Sequence, residues 1–224
     1  MIKYVGFDKD GTLLDSMSSY ATAWGNFFNI EFGLDSKKSG DFLIQTAGQQ
    51  TVEQVNSLLK KNDIILSDSE VFLTANKLLG YLGNIKVEAY PDVFPVLKEL
   101  KSKGYSLFVS TGHKETVAKN DMKSAGLIDY IDLIEGERFE EPNFSKGKPH
   151  FEYAAKFFKV SFNEFIKQTV FVGDTQTDIE AANSVGIISI ERESTNTREE
   201  LLKMGTKHVV KDFTGLIPLI ESLS

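Results

Sequence analysis

The run Tyr4-Val5-Gly6-Phe7-Asp8-Lys9-Asp10-Gly11-Thr12 constrains this chain more than any other stretch. Ile2, Tyr4, Val5 and Phe7 make a short apolar, β-prone segment, the pattern of a buried strand in a parallel sheet. The segment stops at Asp8, and Gly11 then turns the chain. Two carboxylates one residue apart are therefore expected at the carboxyl end of a strand, where open α/β sheets place their ligands. Acids this close repel each other and lose hydration, and a divalent cation is the usual compensation. Beside such a cation, one carboxylate can attack phosphorus while its neighbour handles the leaving-group proton.

After Asp15-Ser16 the periodicity changes. Tyr20, Ala23, Trp24, Phe27, Phe28 and Ile30 follow helical spacing, and further helices are predicted over about 36–47, 51–60 and 67–82. Trp24, Phe27, Phe28, Phe32 and Phe72 are expected to form the core of this helical block. Residues 80–88 read as a return linker. From Tyr90-Pro91 onward helices and strands alternate: strands are predicted at 106–109, 131–134, 169–172, 187–190 and 208–210, with helices between and after them. The acidic stretch Glu135 to Asn143 reads as a solvated loop. Such alternation predicts a parallel sheet covered on both faces. The expectation is an α/β, doubly wound core of residues 1–15 and 88–224, with residues 16–87 inserted as an α-helical cap.

Three later segments end apolar strands in the same manner. Leu107-Phe108-Val109 runs into Ser110-Thr111-Gly112, where a hydroxyl and free backbone N–H groups suit a phosphoryl oxygen. His113, beside it, reads as solvent-facing. In Lys146-Gly147-Lys148-Pro149 one lysine can neutralise a phosphate. Val170-Phe171-Val172-Gly173 leads to Asp174 and then Asp178, one helical turn further on. If the first and the late strands are neighbours, Asp174 meets Asp8 and Asp10 around one cation, and oxygen-only ligands favour Mg²⁺. Asp178 reads equally as a ligand, direct or one layer removed, and as a helix N-terminal acid.

These four segments, in order, resemble the motifs of the haloacid dehalogenase-like (HAD) superfamily, and the insertion after the first resembles its helical-cap class. The resemblance implies an aspartyl-phosphate route: Asp8 attacks, and Asp10 protonates the leaving alkoxide and then activates water. It implies Mg²⁺ held by Asp8, the Asp10 backbone carbonyl and Asp174, and phosphate held by Ser110, the Thr111 backbone and a lysine. The family pattern places that lysine directly before proline, which selects Lys148, with Lys146 as the second choice.

Haloacid dehalogenases and phosphonatases lack the second acid, so Asp10 points to a phosphomonoester hydrolase or a phosphomutase. The β-phosphoglucomutase-like branch carries an arginine in a cap loop and a histidine in the first cap helix. Here the loop is Thr46-Ala47-Gly48-Gln49-Gln50-Thr51 and the helix position shows Tyr20. Hydrolysis of a small phosphorylated metabolite, as in phosphoglycolate phosphatase-like members, is the preferred expectation. Gln45, Thr46, Gln49, Gln50 and Tyr20 are the candidates for substrate choice. A different class of reading is a receiver-like phosphoprotein that holds phosphate on a strand-end Asp without turning over.

Composition narrows the classes. The net charge of −7 gives no support to nucleic-acid binding. The absence of cysteine excludes disulfides, thiolate metal sites and a cysteine nucleophile. Asp8 and Asp10 interrupt the N-terminal apolar run, and no apolar stretch reaches the ~18 residues of a membrane span. A cytoplasmic location without membrane partners is the expectation.

Overall fold

The computed structural model describes residues 1–47, 49–83, 85–138, 141 and 143–223. Gly48 of the expected substrate loop, Asn84 of the return segment, and Phe139, Glu140 and Pro142 of the acidic stretch lie outside the described residues. The chain forms two compact units, Met1–Asp15 with Glu88–Ser224, and Ser16–Val87.

The first unit is built on strands β1 (Tyr4–Phe7), β2 (Ser106–Lys114), β3 (Leu133–Glu137), β4 (Thr169–Gly173), β5 (Ile188–Arg192) and β6 (Val209–Val210). They form one sheet in the order β3-β2-β1-β4-β5-β6, and every pairing between neighbours is parallel. Helices α5 (Val93–Ser102), α6 (Glu115–Ser124), α7 (Lys148–Phe157), α8 (Phe162–Lys167), α9 (Gln176–Asn183), α10 (Arg198–Lys203) and α11 (Leu216–Ser222) alternate with them, as the sequence pattern predicts for a doubly wound core. In this order the chain reverses its direction of winding at β1 and β4, the switch point where a crevice opens beyond the carboxyl ends. Phe7 is opposite Val109 on one side and Val172 on the other, so Asp8, Ser110 and Gly173 follow at the same level.

The strands are buried on both faces, which explains their near-continuous apolar composition. One face packs Phe108, Phe151, Phe165 and Phe171 into a cluster with Ala154, Ala155, Ala182 and Ile187. Phe151 meets Phe171 edge to face at a centroid distance of 5.3 Å, and Phe108 lies 5.7 Å from Phe165. Gly6 makes this possible: a Cβ there would sit 2.3 Å from the Phe108 ring on the paired strand.

The second unit is all-helical: α1 (Met17–Phe32), α2 (Ser36–Gln45), α3 (Thr51–Lys61) and α4 (Asp68–Leu82). Ser67 caps α4 reciprocally with Glu70. Trp24, Phe27 and Phe28 are buried as expected, joined by Val55, Leu58, Leu59, Val71 and Leu78. Phe72 is not part of that core: it is 45% exposed, because Val71 and Ala75 occupy the inward positions of α4. Among the described residues no helix is long and apolar enough to cross a membrane.

The sequence boundaries shift in two places that matter. The second strand runs on through Ser110 and Thr111 to Lys114 instead of ending at Val109. Glu135 belongs to β3 and is buried, so the acidic stretch does not begin as a solvated loop. Its carboxylate accepts from Arg138 at 2.8 Å, which offsets the burial that pushes its pKa up to about 7.

Because Gly6 and Phe108 share one volume, Gly6→Ala is expected to cost about 1–3 kcal/mol of stability through overpacking. Phe108→Leu in the same chain should recover part of that loss. Urea titration of the two single variants and the double variant measures it, and additive losses would contradict the steric account.

Candidate active site

Asp8 leaves the end of β1 with its N–H donating to the Val172 carbonyl at 2.8 Å, which fixes it against β4. Asp174 follows the end of β4, and Asp178 sits in the first turn of α9. One carboxylate oxygen from each of Asp8, Asp174 and Asp178 lies within 4.8 Å of the others, and all three residues are buried.

Asp178 serves both roles that its sequence position allowed. Its Oδ2 accepts from Thr175 N at 3.0 Å and Thr175 Oγ1 at 2.5 Å, closing the start of α9. Its Oδ1 faces Lys146 Nζ at 2.6 Å. Lys146 Nζ also donates to Asp8 Oδ1 at 2.6 Å. The lysine that meets the acids is therefore Lys146, and the choice of Lys148 is corrected. Lys148 is the first residue of α7, its side chain 62% exposed and paired with Glu152 one turn on at 3.6 Å. Gly147 between them has φ +109° and ψ −138°, a conformation that lets the chain turn from the buried Lys146 into the helix.

Asp174 is held by residues that sequence reasoning missed. Thr12 Oγ1 donates to its Oδ1 and Ser194 Oγ to its Oδ2, each at 3.1 Å, and Asn196 Nδ2 donates to its backbone carbonyl at 2.9 Å. Gly11 has φ +78°, and a Cβ there would lie 2.2 Å from Asp174 Oδ2. The glycine of the first motif is thus required twice, by the turn and by the approaching carboxylate.

The Asp10 carboxylate stands outside the group of three acids. Its Oδ1 accepts from Lys9 Nζ at 3.0 Å, and its Oδ2 is 3.7 Å from His113 Nδ1. Lys9 is fully buried and also pairs with Asp121 at 2.5 Å. His113 is correspondingly not solvent-facing: its side chain is 23% exposed, and burial lowers its pKa. Ser110 is buried at the level of Asp8, with Oγ 2.9 Å from His150 Nδ1. Thr111 is buried next to it, and its Oγ1 accepts from His113 N at 3.3 Å.

The candidates for substrate choice lie in the helical unit. Gln45 ends α2, Gln50 precedes α3, and both are exposed, as is Gln49. Thr46 Oγ1 is committed to its own helix, donating to the Phe42 carbonyl at 2.8 Å, and Gln54 Nε2 donates to the Thr46 carbonyl at 2.7 Å. Tyr20 is buried in the first turn of α1.

The electrostatics show what the site requires. Burial raises Asp8, and the charges of Asp178, Asp174 and Asp10 raise it further, against the lowering effect of Lys146. Burial raises Asp174 likewise, with Asp178 adding to it. Burial opposes the charge on Lys146, but Asp178 and Asp8 overcome that and raise its pKa. Glu191 on β5, fully buried beside Gly173, is pushed up to about 9 by burial and then by Asp178 and Asp174. Two unit charges about 4.8 Å apart repel by roughly 3 kcal/mol at an effective dielectric of about 20. Lys146 offsets much of this at Asp8 and Asp178, but three carboxylates facing one lysine still carry a surplus of negative charge. A cluster of buried oxygen donors with surplus negative charge fits a hard divalent cation, for which Asp8, Asp174 and Asp178 supply the carboxylates.

Comparison with known proteins places this geometry. A phosphoglycolate phosphatase of Aquifex aeolicus is 30% identical over 193 residues, covering 83% of this chain and 82% of its own length. One from Pasteurella multocida is 30% identical over 200 residues, covering 82% of each chain. The crystal structure of a predicted phosphoglycolate phosphatase from Haemophilus somnus superposes with a TM-score of 0.82 at 23% identity, over 97% of both chains. The sequence model of the haloacid dehalogenase-like hydrolases matches residues 5–191, from β1 to the Glu191 of β5, and the chain belongs to that family.

Proposed function

We propose that this protein hydrolyses a small phosphomonoester through an aspartyl-phosphate on Asp8, with Mg²⁺ as its cation. The observation that carries the reading is Asp8 itself: a buried carboxylate at the switch point, 2.6 Å from Lys146 and beside Asp174 and Asp178. When bound, the cation would supply positive charge that keeps Asp8 ionised and offsets charge on the phosphoryl group.

The residues divide the work as follows. An Asp8 oxygen attacks phosphorus and the ester P–O bond breaks. Asp10, two residues on with its side chain 14% exposed, gives its proton to the departing alkoxide. Asp10 then takes a proton from water as that water attacks phosphorus, releasing phosphate and restoring Asp8. Lys146 and the Ser110 hydroxyl, with the Thr111 N–H, neutralise and hold the non-bridging oxygens. An acid at Asp10 able to activate water also favours this reading over a lasting phosphoprotein.

Relatives named phosphoglycolate phosphatase that cover four-fifths of the chain support a small anionic ester as substrate. Within this reading, Gln45, Thr46, Gln49, Gln50 and Tyr20 select the leaving group. A panel of phosphoglycolate, sugar phosphates, nucleotides and pyrophosphate tests the substrate class, and equal rates for Gln49→Ala/Gln50→Ala and wild type on every ester would remove the loop from it.

Asp8→Asn is expected to abolish Mg²⁺-dependent turnover. Lys146→Ala should lower kcat by roughly a hundredfold or more, the scale of losing one preorganised charge partner. Lys148→Ala should stay within about twofold of wild type, as expected of an exposed pair. Steady-state kinetics on all three decides the assignment, and a silent Lys146→Ala would overturn it.

The raised carboxyls of Asp8 and Asp174 also have a sign in stability. A folded-state pKa above the unfolded value gives stability that is fully present in acid and lost as pH rises through the folded value. Without divalent cation, Tm should therefore fall from mildly acid to mildly alkaline pH. Added Mg²⁺ should raise Tm more at the alkaline end, and Asp174→Asn should remove that gain. A Mg²⁺ effect independent of pH would contradict the cluster as the binding site.

A further inference from the structure

His150 lies four residues beyond Lys146, in the first turn of α7, and no part of the reaction above employs it. It is fully buried, and its Nδ1 is 2.9 Å from Ser110 Oγ. Its ring rests on Phe144 at a centroid distance of 4.7 Å. The Arg138 guanidinium lies over Phe144 at 4.0 Å, and Arg138 itself is tied to Glu115 at 3.0 Å and Glu135 at 2.8 Å. The imidazole is thus clamped in place, one nitrogen on the serine expected to hold phosphate.

A serine hydroxyl has one proton. If Nδ1 accepts it, a phosphoryl oxygen meets only the lone pairs of Ser110, and the contact is repulsive. If Nδ1–H donates instead, the serine proton is free for phosphate. The second nitrogen decides between these. Among the described residues Nε2 is buried without a hydrogen-bond partner, and an orphaned N–H is rarer in folded proteins than an orphaned acceptor. The Nδ1–H tautomer leaves the acceptor, not the donor, unsatisfied. A third possibility, the doubly protonated ring, is removed by burial and by the charges of Lys146 and Arg138, which push His150 down to about 3.

We propose that His150 is a positioning residue: its Nδ1–H donates to Ser110 Oγ and so directs the Ser110 hydroxyl proton toward the phosphoryl oxygen. The proposal rests on the phosphatase reading for what Ser110 binds, but the tautomer stands on the core geometry alone.

Nitrogen-15 spectra of the imidazoles in the intact wild-type protein read that tautomer directly, His150 being assigned by comparison with His150→Asn. Protonation at Nδ1 is expected, and protonation at Nε2 overturns the proposal whether or not any ester is hydrolysed. Failure of the phosphatase reading would show separately, as no wild-type turnover on the ester panel.

The kinetic arm is a double-mutant cycle. His150→Leu should lower kcat/KM by roughly tenfold, about the value of one neutral hydrogen bond. Ser110→Ala added to it should then cost little more, because the two act as one unit. His150→Asn, which places an N–H donor near the Nδ1 position, should recover most of the loss. Fully additive losses, or His150→Asn as poor as His150→Leu with both proteins folded by circular dichroism, would overturn the proposal in favour of simple packing.

Discussion

The surplus of negative charge at the ends of β1 and β4 is the constraint that the rest of the structure serves. Asp8 and the pair Asp174 and Asp178 come from segments far apart in the chain, and Lys146 answers Asp8 and Asp178 with positive charge. The sheet order makes the meeting unavoidable, because β1 and β4 are neighbours in register and both strands end in aspartate. Left alone, such a cluster relaxes by taking up protons or by moving apart. The surroundings prevent the second. Thr12, Ser194 and Asn196 hold Asp174, Thr175 holds Asp178, and Gly11 leaves no side chain to push them away.

A second layer of buried charges fixes the loop that follows β1. On one side Lys9 bridges Asp10 and Asp121 without exposure to water. On the other, Arg192 stacks on Tyr90 at 3.9 Å, pairs with Asp92 at 2.9 Å and reaches the Thr12 carbonyl at 3.5 Å. Buried pairs of this kind add little net stability over apolar packing, but removing one partner is costly. Their effect here is to give the loop one conformation. The proposed reaction at Asp8 and Asp10 depends on that, since positions that drift by about an ångström lose catalysis by large factors.

The fold was legible because helical and strand periods alternate cleanly, and because each strand is punctuated by a polar or glycine residue. The acids could be read from the same punctuation: a carboxylate directly after a buried strand has few other roles. The lysine could not be read that way. Proline after Lys148 suggested the site, but proline also begins α7, which turns Lys148 out toward Glu152. The spacing Lys148 to Glu152 is an ordinary i, i+4 helix pair, and it was the available signal that this lysine belonged to solvent. Thr12 stood in the first motif, but its bond to Asp174 did not; Ser194, Asn196 and His150 carry no local signature, since each acts on a partner at least 20 residues away. Lys9 is the sharpest case: a lysine between two aspartates reads as a solvated charge, yet it is buried against Asp10 and against Asp121, 112 residues on.

Diffraction from crystals grown with Mn²⁺ in place of Mg²⁺ tests the charge account most directly, because the anomalous signal locates the ion without assumption. The account predicts one peak among the Asp8, Asp174 and Asp178 carboxylates, with Lys146 still against Asp8. A map with manganese elsewhere and these acids unaltered would contradict it.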